Sequence, residues 1–461
     1  MACRCKQRQS RKGRKRQHKK RGHATSKVSK TAYRHGLADA IGKWFPGQFF
    51  SRWPVMAGTQ WTPQRVFWMA LLLTWGVEQT LLTRFEASRQ MLKLIFPKWS
   101  LGKTYTGWYE AQLKWLPQLQ PHLSNRLRRQ VQAMSGRHWH RRGWCAFAVD
   151  GSRVECPRTR RNQKKLGCAG RKKTGPQLFV TTLLHMGTGL PWDFRIGSGK
   201  ASERRHLEEM LPNLPSRSLL VADAGFTGYD FYRRIVAAKQ NFLMRVGANV
   251  HLLEDLGYVE REGPDTVYLW PEKKMDKPPV VMRLIALRQG KKKMYLVTNV
   301  QDTQALSMRD AATLYEMRWG VEVFYRSVKQ TLGRRKMLSR SPEAARCELT
   351  WTMIGIWVLG LISVSKIVAR GGDPLRWSVA QARDRVRQSM RLALTRQHQD
   401  RALSHELAWA VQDDYSRRRS KKARDWPHKK TETPPGNPKI QSANTAQRRA
   451  ALRLKAKNTD A

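Results

Sequence analysis

WCAFAVDGS, residues 144–152, is a run of apolar residues that stops at Asp150 and Gly151. The run is too short for a helix, and turn-forming residues close it, so it reads as a buried strand. Working outward, residues 177–186 (QLFVTTLLHM) and 190–196 (LPWDFRI) read as two more strands, joined by Gly187-Thr188-Gly189. Residues 203–211 read as a helix with Ser202 as its cap. Residues 219–222 (LLVA) repeat the opening theme, a buried strand followed by an acid, Asp223, with Gly225 and Phe226 behind it. A helix over 229–239 and a strand over 241–246 complete the series.

Three strands, a helix, a strand, a helix and a strand is the order of a ribonuclease-H-like core, an α/β fold with a mixed sheet. Around it the chain divides by composition. Residues 1–30 form a basic tail, expected to stay disordered until it meets phosphate. Residues 31–138 carry a helical pattern and are expected to form a helical N-terminal region, the DNA-binding one if the chain's charge balance means nucleic acid; its many tryptophans read as core packing rather than base stacking. The first part of the core spans 139–246. A β-rich insertion follows at 247–302, with antiparallel strands over 265–270, 280–288 and 294–299. The second part of the core, 303–372, is helical. Residues 373–461 are basic and read as largely flexible, with Pro434, Pro435 and Pro438 near their middle.

Charge narrows the partner. The 461 residues include 88 Lys and Arg against 34 Asp and Glu, a formal net charge of +54. Such an excess repels itself and calls for a polyanion, and neutralising nucleic-acid phosphates releases counterions. Charge does not separate an enzyme from a coat or from a ribosome-bound protein. The six cysteines (Cys3, Cys5, Cys145, Cys156, Cys168, Cys347) form no CxxC pair, so free thiols are expected. A metal shared by Cys156 and Cys168 is the lesser reading. The apolar run 66–77 is too short to span a membrane. The run 351–368 (WTMIGIWVLGLISVSKIV) is borderline but carries Thr and Ser behind a charged helix, so it reads as a buried helix. No membrane partner is expected.

The chemistry concentrates in residues 314–332 (LYEMRWGVEVFYRSVKQTL). Leu314, Met317, Val321, Phe324, Val328 and Leu332 share one helical stripe, which should face the core. Tyr315, Arg318, Glu322, Arg326 and Lys329 share a separate sector of about 80°. On its own that sector is also what a solvated face with charges paired at four-residue spacing would show. Two more acids, Asp150 and Asp223, each following a buried strand, change the weighting. Phosphodiester cleavage needs an in-line oxygen nucleophile and a stabilised leaving oxygen, and a pair of Mg²⁺ ions about 4 Å apart serves both. Mg²⁺ takes hard oxygen ligands and keeps several waters, so two or three carboxylates suffice.

With Asp150-Gly151-Ser152, Asp223-Ala224-Gly225-Phe226 and the series Tyr315, Arg318, Glu322, Lys329, the chain resembles bacterial insertion-sequence transposases of the DDE class, in the family carrying the YREK signature (Tyr-x2-Arg-x3-Glu-x6-Lys). The likeness covers roughly residues 140–370. It implies that Asp150, Asp223 and Glu322 are catalytic and hold two Mg²⁺ ions, with Mn²⁺ able to substitute. It implies that Tyr315, Arg318 and Lys329, with Arg326 and Trp319 beside them, bind DNA. The partners would be double-stranded DNA, namely the terminal inverted repeats and a target, met by a homodimer on paired ends. Strand cleavage would free a 3′-hydroxyl that attacks the opposite strand or the target, in cut-and-paste transposition. The setting would be cytoplasmic, at the bacterial nucleoid. Relatives that form a DNA hairpin stack a flipped base on an aromatic in the insertion. That position is Met294 here, with Tyr295 next to it, and Trp270 is the insertion's tryptophan. The rival readings are a catalytically inactive DNA-binding relative and a structure-selective nuclease.

Overall fold

The computed structural model describes residues 35–167, 175–289, 292–395, 402–413 and 435–459. The expected tail at 1–30, the basic residues Arg171, Lys172 and Lys173, and Cys168 lie outside them.

The chain enters through five helices: α1 (His35–Gly42), α2 (Gly47–Phe50), α3 (Pro63–Trp75), α4 (Leu81–Ile95) and α5 (Tyr105–Ser135). Thr62, Thr80 and Thr104 cap the last three, each side chain accepting from a backbone N–H three residues on. The aromatics pack on one another. Phe45 and Phe50 hold their ring centroids 4.9 and 5.3 Å from that of Phe67, and Trp68 and Trp75 are fully buried. The tryptophans of this region that lie inside the core are thus packing residues.

Five strands make the core. β1 (Ala146–Glu155), β2 (Gln177–His185) and β3 (Leu190–Ser198) pair antiparallel with one another in turn, while β4 (Leu219–Ala222) pairs parallel with β1 and β5 (Asn241–Val246) parallel with β4. Their order across the sheet is β3-β2-β1-β4-β5, the mixed ribonuclease-H-like arrangement expected from the sequence. Parallel neighbours need crossovers. After the short helix α6 (Arg160–Leu166) behind β1, α7 (Glu203–Met210) carries the chain from β3 to β4, and α8 (Tyr229–Ala237) from β4 to β5.

β1 outlasts its apolar run. It pairs with β4 only through Ala146, Phe147 and Ala148, and with β2 from Phe147 through Glu155. Residues flanked on both sides are buried and apolar; past Ala148 one neighbour is lost and polar residues begin. Asp150 therefore stands inside β1, just beyond the loss of β4, and not after the strand's end as the apolar pattern implies.

The insertion is an extension of the same sheet. β6 (His251–Glu254), β7 (Thr266–Leu269), β8 (Val280–Gln289) and β9 (Lys292–Thr298) continue it, with β9 pairing antiparallel to β5. Helices then follow: α9 (Met308–Met317), α10 (Trp319–Arg326), α11 (Pro342–Ala369), α12 (Val379–Thr395) and α13 (Leu403–Ala408). α11 is long and apolar enough to cross a membrane, but 78% of its most apolar window is buried within the protein. It packs against α3, α5, α13 and β3, and Ile356, Trp357 and Val358 have no exposed surface.

The C-terminal region differs from the expectation of a largely flexible segment. β10 (Lys439–Ser442) pairs in parallel with β6 and ends the ten-stranded sheet, and α14 (Thr445–Thr459) follows. β10 shows no apolar alternation because all four of its residues are exposed; an edge strand can be held by backbone pairing alone.

Candidate active site

Asp150 and Asp223 sit on neighbouring strands. Pairing across β1 and β2 sets Asp150 opposite Thr182, so the two side chains point to the same face of the sheet. Asp223 leaves the end of β4 in a turn closed by its own carboxylate, which accepts from Gly225 N–H at 2.9 Å. Fully buried Phe226 anchors that turn. Asp150 Oδ1 accepts from Gly151 N–H at 2.8 Å. Burial pushes the Asp150 carboxyl up to about 7; the Gly151 hydrogen bond opposes this, Asp223 and Glu203 add to the rise, and Arg318 opposes it. Two aspartates that repel one another in a half-buried pocket would be relieved by a cation between them.

The third acid arrives on a helix that is less regular than its sequence. α9 and α10 meet at Arg318, and a wide π turn follows over Ser327–Thr331. The apolar stripe faces the core: Leu314, Val321, Phe324, Val328 and Leu332 are buried, with Met317 packed at its edge. Glu322 is half-buried and Arg318 Nη2 donates to its Oε1 at 2.9 Å. The Arg318 guanidinium also stands 5.6 Å from the Tyr315 ring. Burial lowers the Arg318 pKa most, but Tyr315, Glu322 and Asp223 together hold it above its ordinary value. Arg318 is thus bonded to the helix acid, while its charge is also felt by both strand acids. Its Nε is buried with no partner among the described residues.

The remaining residues of the series fall in different places. Tyr315 is buried; burial raises its pKa, against the lowering by Arg318 and Arg245 beside it. Lys329 lies on the π turn; burial lowers its pKa most, then Arg335, while Asp150 and Glu155 oppose the fall, so it too borders the first aspartate. Arg326 and Trp319 are exposed, Trp319 by 54%. Trp270 is buried, its Nε1 donating to the carbonyls of Lys277 (2.8 Å) and Lys274 (3.1 Å), which is how a core tryptophan behaves. It still lines one wall of a groove of about 760 Å³ that reaches Gly225, beside Asp223. Tyr295 and Met294 are half-buried in β9, where Tyr295 pairs with Val246 of β5 and Ala286 of β8.

Two residues of the site were not singled out by the sequence. The buried hydroxyl of Tyr325 lies 2.9 Å from the Asp150 carbonyl, 3.0 Å from that of Val180 and 3.0 Å from Thr182 Oγ1. It ties α10 to β1 and β2 at the position of the first acid. The helical stripe counted Phe324 as core and passed over its neighbour. The other residue is Glu203, first in α7, whose carboxyl is pushed up by burial and by Asp223, against Arg153 and Arg204. Cys145, Cys156 and Cys347 are free and buried.

Among the described residues, no three acidic, histidine or cysteine side chains are gathered tightly enough to enclose a metal ion. The oxygen-only donors nonetheless suit Mg²⁺, which keeps much of its water shell.

The profile of the transposase DDE domain matches residues 142–358. The InsG transposase of insertion sequence element IS4 from Escherichia coli is 24% identical over 242 residues, which are 48% of this chain and 54% of that protein. A protein of insertion sequence element IS4SA from Synechocystis is 20% identical over 197 residues, 41% of this chain and 54% of the other. The chain thus matches about half the length of these curated relatives. A cryo-EM structure of a piggyBac transposase synaptic complex with hairpin DNA aligns over 87% of this chain and 88% of its own at 11% identity, with a TM-score of 0.39. Residues 142–358, which hold all three acids, match the transposase DDE domain, and the chain is similar to the insertion-sequence transposases.

Proposed function

We propose that this chain cuts DNA at the ends of an insertion sequence and joins those ends to a target, using Asp150, Asp223 and Glu322. The observation that carries the proposal is the arrangement of Arg318, hydrogen-bonded to Glu322 on the helix and exerting its charge on Asp150 and Asp223 at the strands. It supports one centre built from three separate elements. Divalent metal, Mg²⁺ or Mn²⁺, would supply Lewis-acid stabilisation to the attacking and leaving oxygens. Asp150 and Asp223 would hold it from the sheet and Glu322 from the helix.

The chain's own groups do the rest. In the first step a water oxygen bonds to phosphorus and the bond to the 3′ oxygen breaks, leaving a 3′-hydroxyl and a 5′-phosphate. In the second, that 3′-hydroxyl attacks a phosphorus of the other strand or of the target and displaces its 3′ oxygen. Arg318 would bind the phosphate under attack: its Nε–H is buried without an acceptor among the described residues, and a phosphate oxygen would provide one. Lys329 flanks Asp150, and Arg326 and Trp319 offer exposed contacts to the strand. The groove from Gly225 to Trp270, bordered by Arg204 and Lys273, gives the strand a path beside Asp223. Cutting two ends in one event would require two copies of the chain. The working site would be the nucleoid of a bacterium.

The test is a supercoiled plasmid carrying the gene with its flanking DNA, incubated with Mg²⁺ and either wild-type protein or Glu322→Gln. Wild type is expected to cut at fixed positions flanking the gene. The variant should bind the same DNA and leave it intact. Equal cutting by both removes Glu322 from the site. Tight binding without cutting by either identifies a DNA-binding relative that has lost catalysis. Cutting of branched DNA of any sequence points to a structure-selective nuclease.

A further inference from the structure

We propose that the groove beside Asp223 reads the bases of the DNA end, and that the C-terminal strand β10 supplies one of its readers, Gln441. The proposal rests on the DNA-cutting reading above and names side chains that would choose where the cut falls.

The groove, of about 760 Å³, is assembled from segments far apart in the chain. Gly225 brings the turn after Asp223 to it, and Val250, Leu253 and Trp270 of the insertion give it an apolar wall. Gln441 of β10 and Gln447 of α14 join them from the C-terminal region. In the register of the sheet Gln441 stands beside Leu253, and His251 is two residues before Leu253, so the three share one face. Lys439 stands beside His251 on that same face.

Three of the lining side chains are uncommitted. Asn249, His251 and Gln441 are exposed, and among the described residues none of them has a hydrogen-bond partner within the protein. A carboxamide offers a donor and an acceptor side by side, which matches the N6 and N7 edge of adenine, and an imidazole can donate to a purine N7. The charged lining residues are Arg204 and Lys273 against one acid, Glu272. Arg204 is fixed over the turn by donating to Thr227 O at 2.7 Å, and no ion pair engages Lys273 among the described residues. With Lys439 this gives cations for phosphates around groups for base edges. DNA is the occupant that uses both, and the groove reaches the turn of a site aspartate.

A polar edge strand has another use, since charge at a sheet edge discourages pairing with other chains. That accounts for Lys439. It does not account for how firmly the segment is seated. A Cβ on Gly247 would stand 2.7 Å from Pro435 Cβ and 3.2 Å from the Pro435 carbonyl carbon and oxygen, all stiff atoms. Gly247 has an ordinary backbone angle, so its smallness answers to this close approach. At the other end of β10, Asn444 and Gln447 each accept from the other's backbone N–H, at 2.8 and 2.9 Å, which fixes the start of α14. Ala443 and Ala451 are buried. β10 itself buries none of its four side chains. The flanking contacts thus hold in place a strand whose side chains the core does not use, and two of them, Lys439 and Gln441, lie on the face of the groove.

The test is binding of the full-length chain, in EDTA so that no cutting intervenes, to duplexes that tile the DNA flanking its gene and to a scrambled duplex of the same composition. Fluorescence anisotropy gives the preference, which is the ratio of the two affinities. Wild type is expected to prefer one flanking duplex. Gln441→Ala should lower that preference at least about five-fold, and His251→Ala should lower it too, both with unchanged affinity for the scrambled duplex. Lys273→Ala should weaken both duplexes alike. All three side chains are exposed, so the variants should melt with wild type. Gln441→Glu keeps the size of the side chain and should shift the preferred base toward cytosine in single-base variants of that duplex, which a merely structural residue would not do. Wild-type preference in the Gln441 and His251 variants overturns the proposal, and the transposase reading then stands if wild type still cuts the plasmid at fixed positions. No preference by wild type for any flanking duplex also overturns it, and absence of cutting alongside removes the reading on which it rests.

Discussion

Asp150 shows how much a single residue owes to its neighbours. Its carboxyl titrates near an ordinary 3.8 in an unfolded chain and at about 7 in the folded one, because burial, Asp223 and Glu203 disfavour its charge. Between those values the folded state holds a proton that the unfolded state has released. In the metal-free protein this contribution to stability is therefore present at low pH and is lost as pH rises from about 4 to about 7. Asp150→Asn removes the titration. In EDTA, melting temperatures taken from about pH 5 to about pH 8 should fall less steeply for the variant than for wild type. At the alkaline end the variant should be the more stable of the two. Parallel profiles would mean that Asp150 is not held in this environment. The backbone beneath it is held by Tyr325, whose one hydroxyl meets two strands at once. Neither property is legible in the residues as a list, since each depends on which strand lies opposite.

Elements were easier to read than their ends. β4 was visible because it is flanked by parallel strands on both sides and so is apolar throughout. β1 was half visible, because only its first residues share that environment. β10 was invisible: it is exposed, polar and four residues long, and only pairing with β6 defines it. That pairing gives it a testable role. Lys439 N–H donates to Val250 O and Ala443 N–H to Glu254 O, both at 2.9 Å, so β10 covers the edge that β6 would otherwise expose. Ending the chain at residue 434 should lower the melting temperature and promote self-association, since a bare edge strand is a template for pairing. Light scattering and thermal denaturation would read this out. A truncated chain with unchanged self-association and melting temperature would show that β10 contributes nothing to the sheet.

For the molecule as a whole, the charge of +54 would set the terms of the proposed association with DNA. Each phosphate neutralised releases condensed counterions, so binding should weaken steeply with salt, by about 0.9 logarithmic units per contact. Lys329→Ala is expected to flatten that slope by about one unit if Lys329 contacts a phosphate. Fluorescence anisotropy across a salt series measures it; an unchanged slope would leave Lys329 as a neighbour of Asp150 only. The same excess of charge lies around a core that is one connected body. α11 runs through it against helices from the N-terminal region and against β3, so the apolar segment that resembles a membrane span is used for internal packing.

Period and punctuation were enough to place the core strands, the acids after two apolar runs and the stripe of residues 314–332, because burial on a strand or a helix leaves a regular mark on neighbouring residues. The spacing of Tyr315, Arg318, Glu322 and Lys329 was likewise open to reading. What remained hidden were relations between segments far apart in the chain. Three acids, Glu203, Glu208 and Glu209, lie on one short helix, and nothing in their spacing separates them. Only packing distinguishes Glu203, by setting it against Gly151 and Gly225, while Glu208 pairs with Arg234 and Glu209 with Arg195 and Arg205. Local patterns encode which surfaces are buried; the meeting of two surfaces is a property of the folded chain.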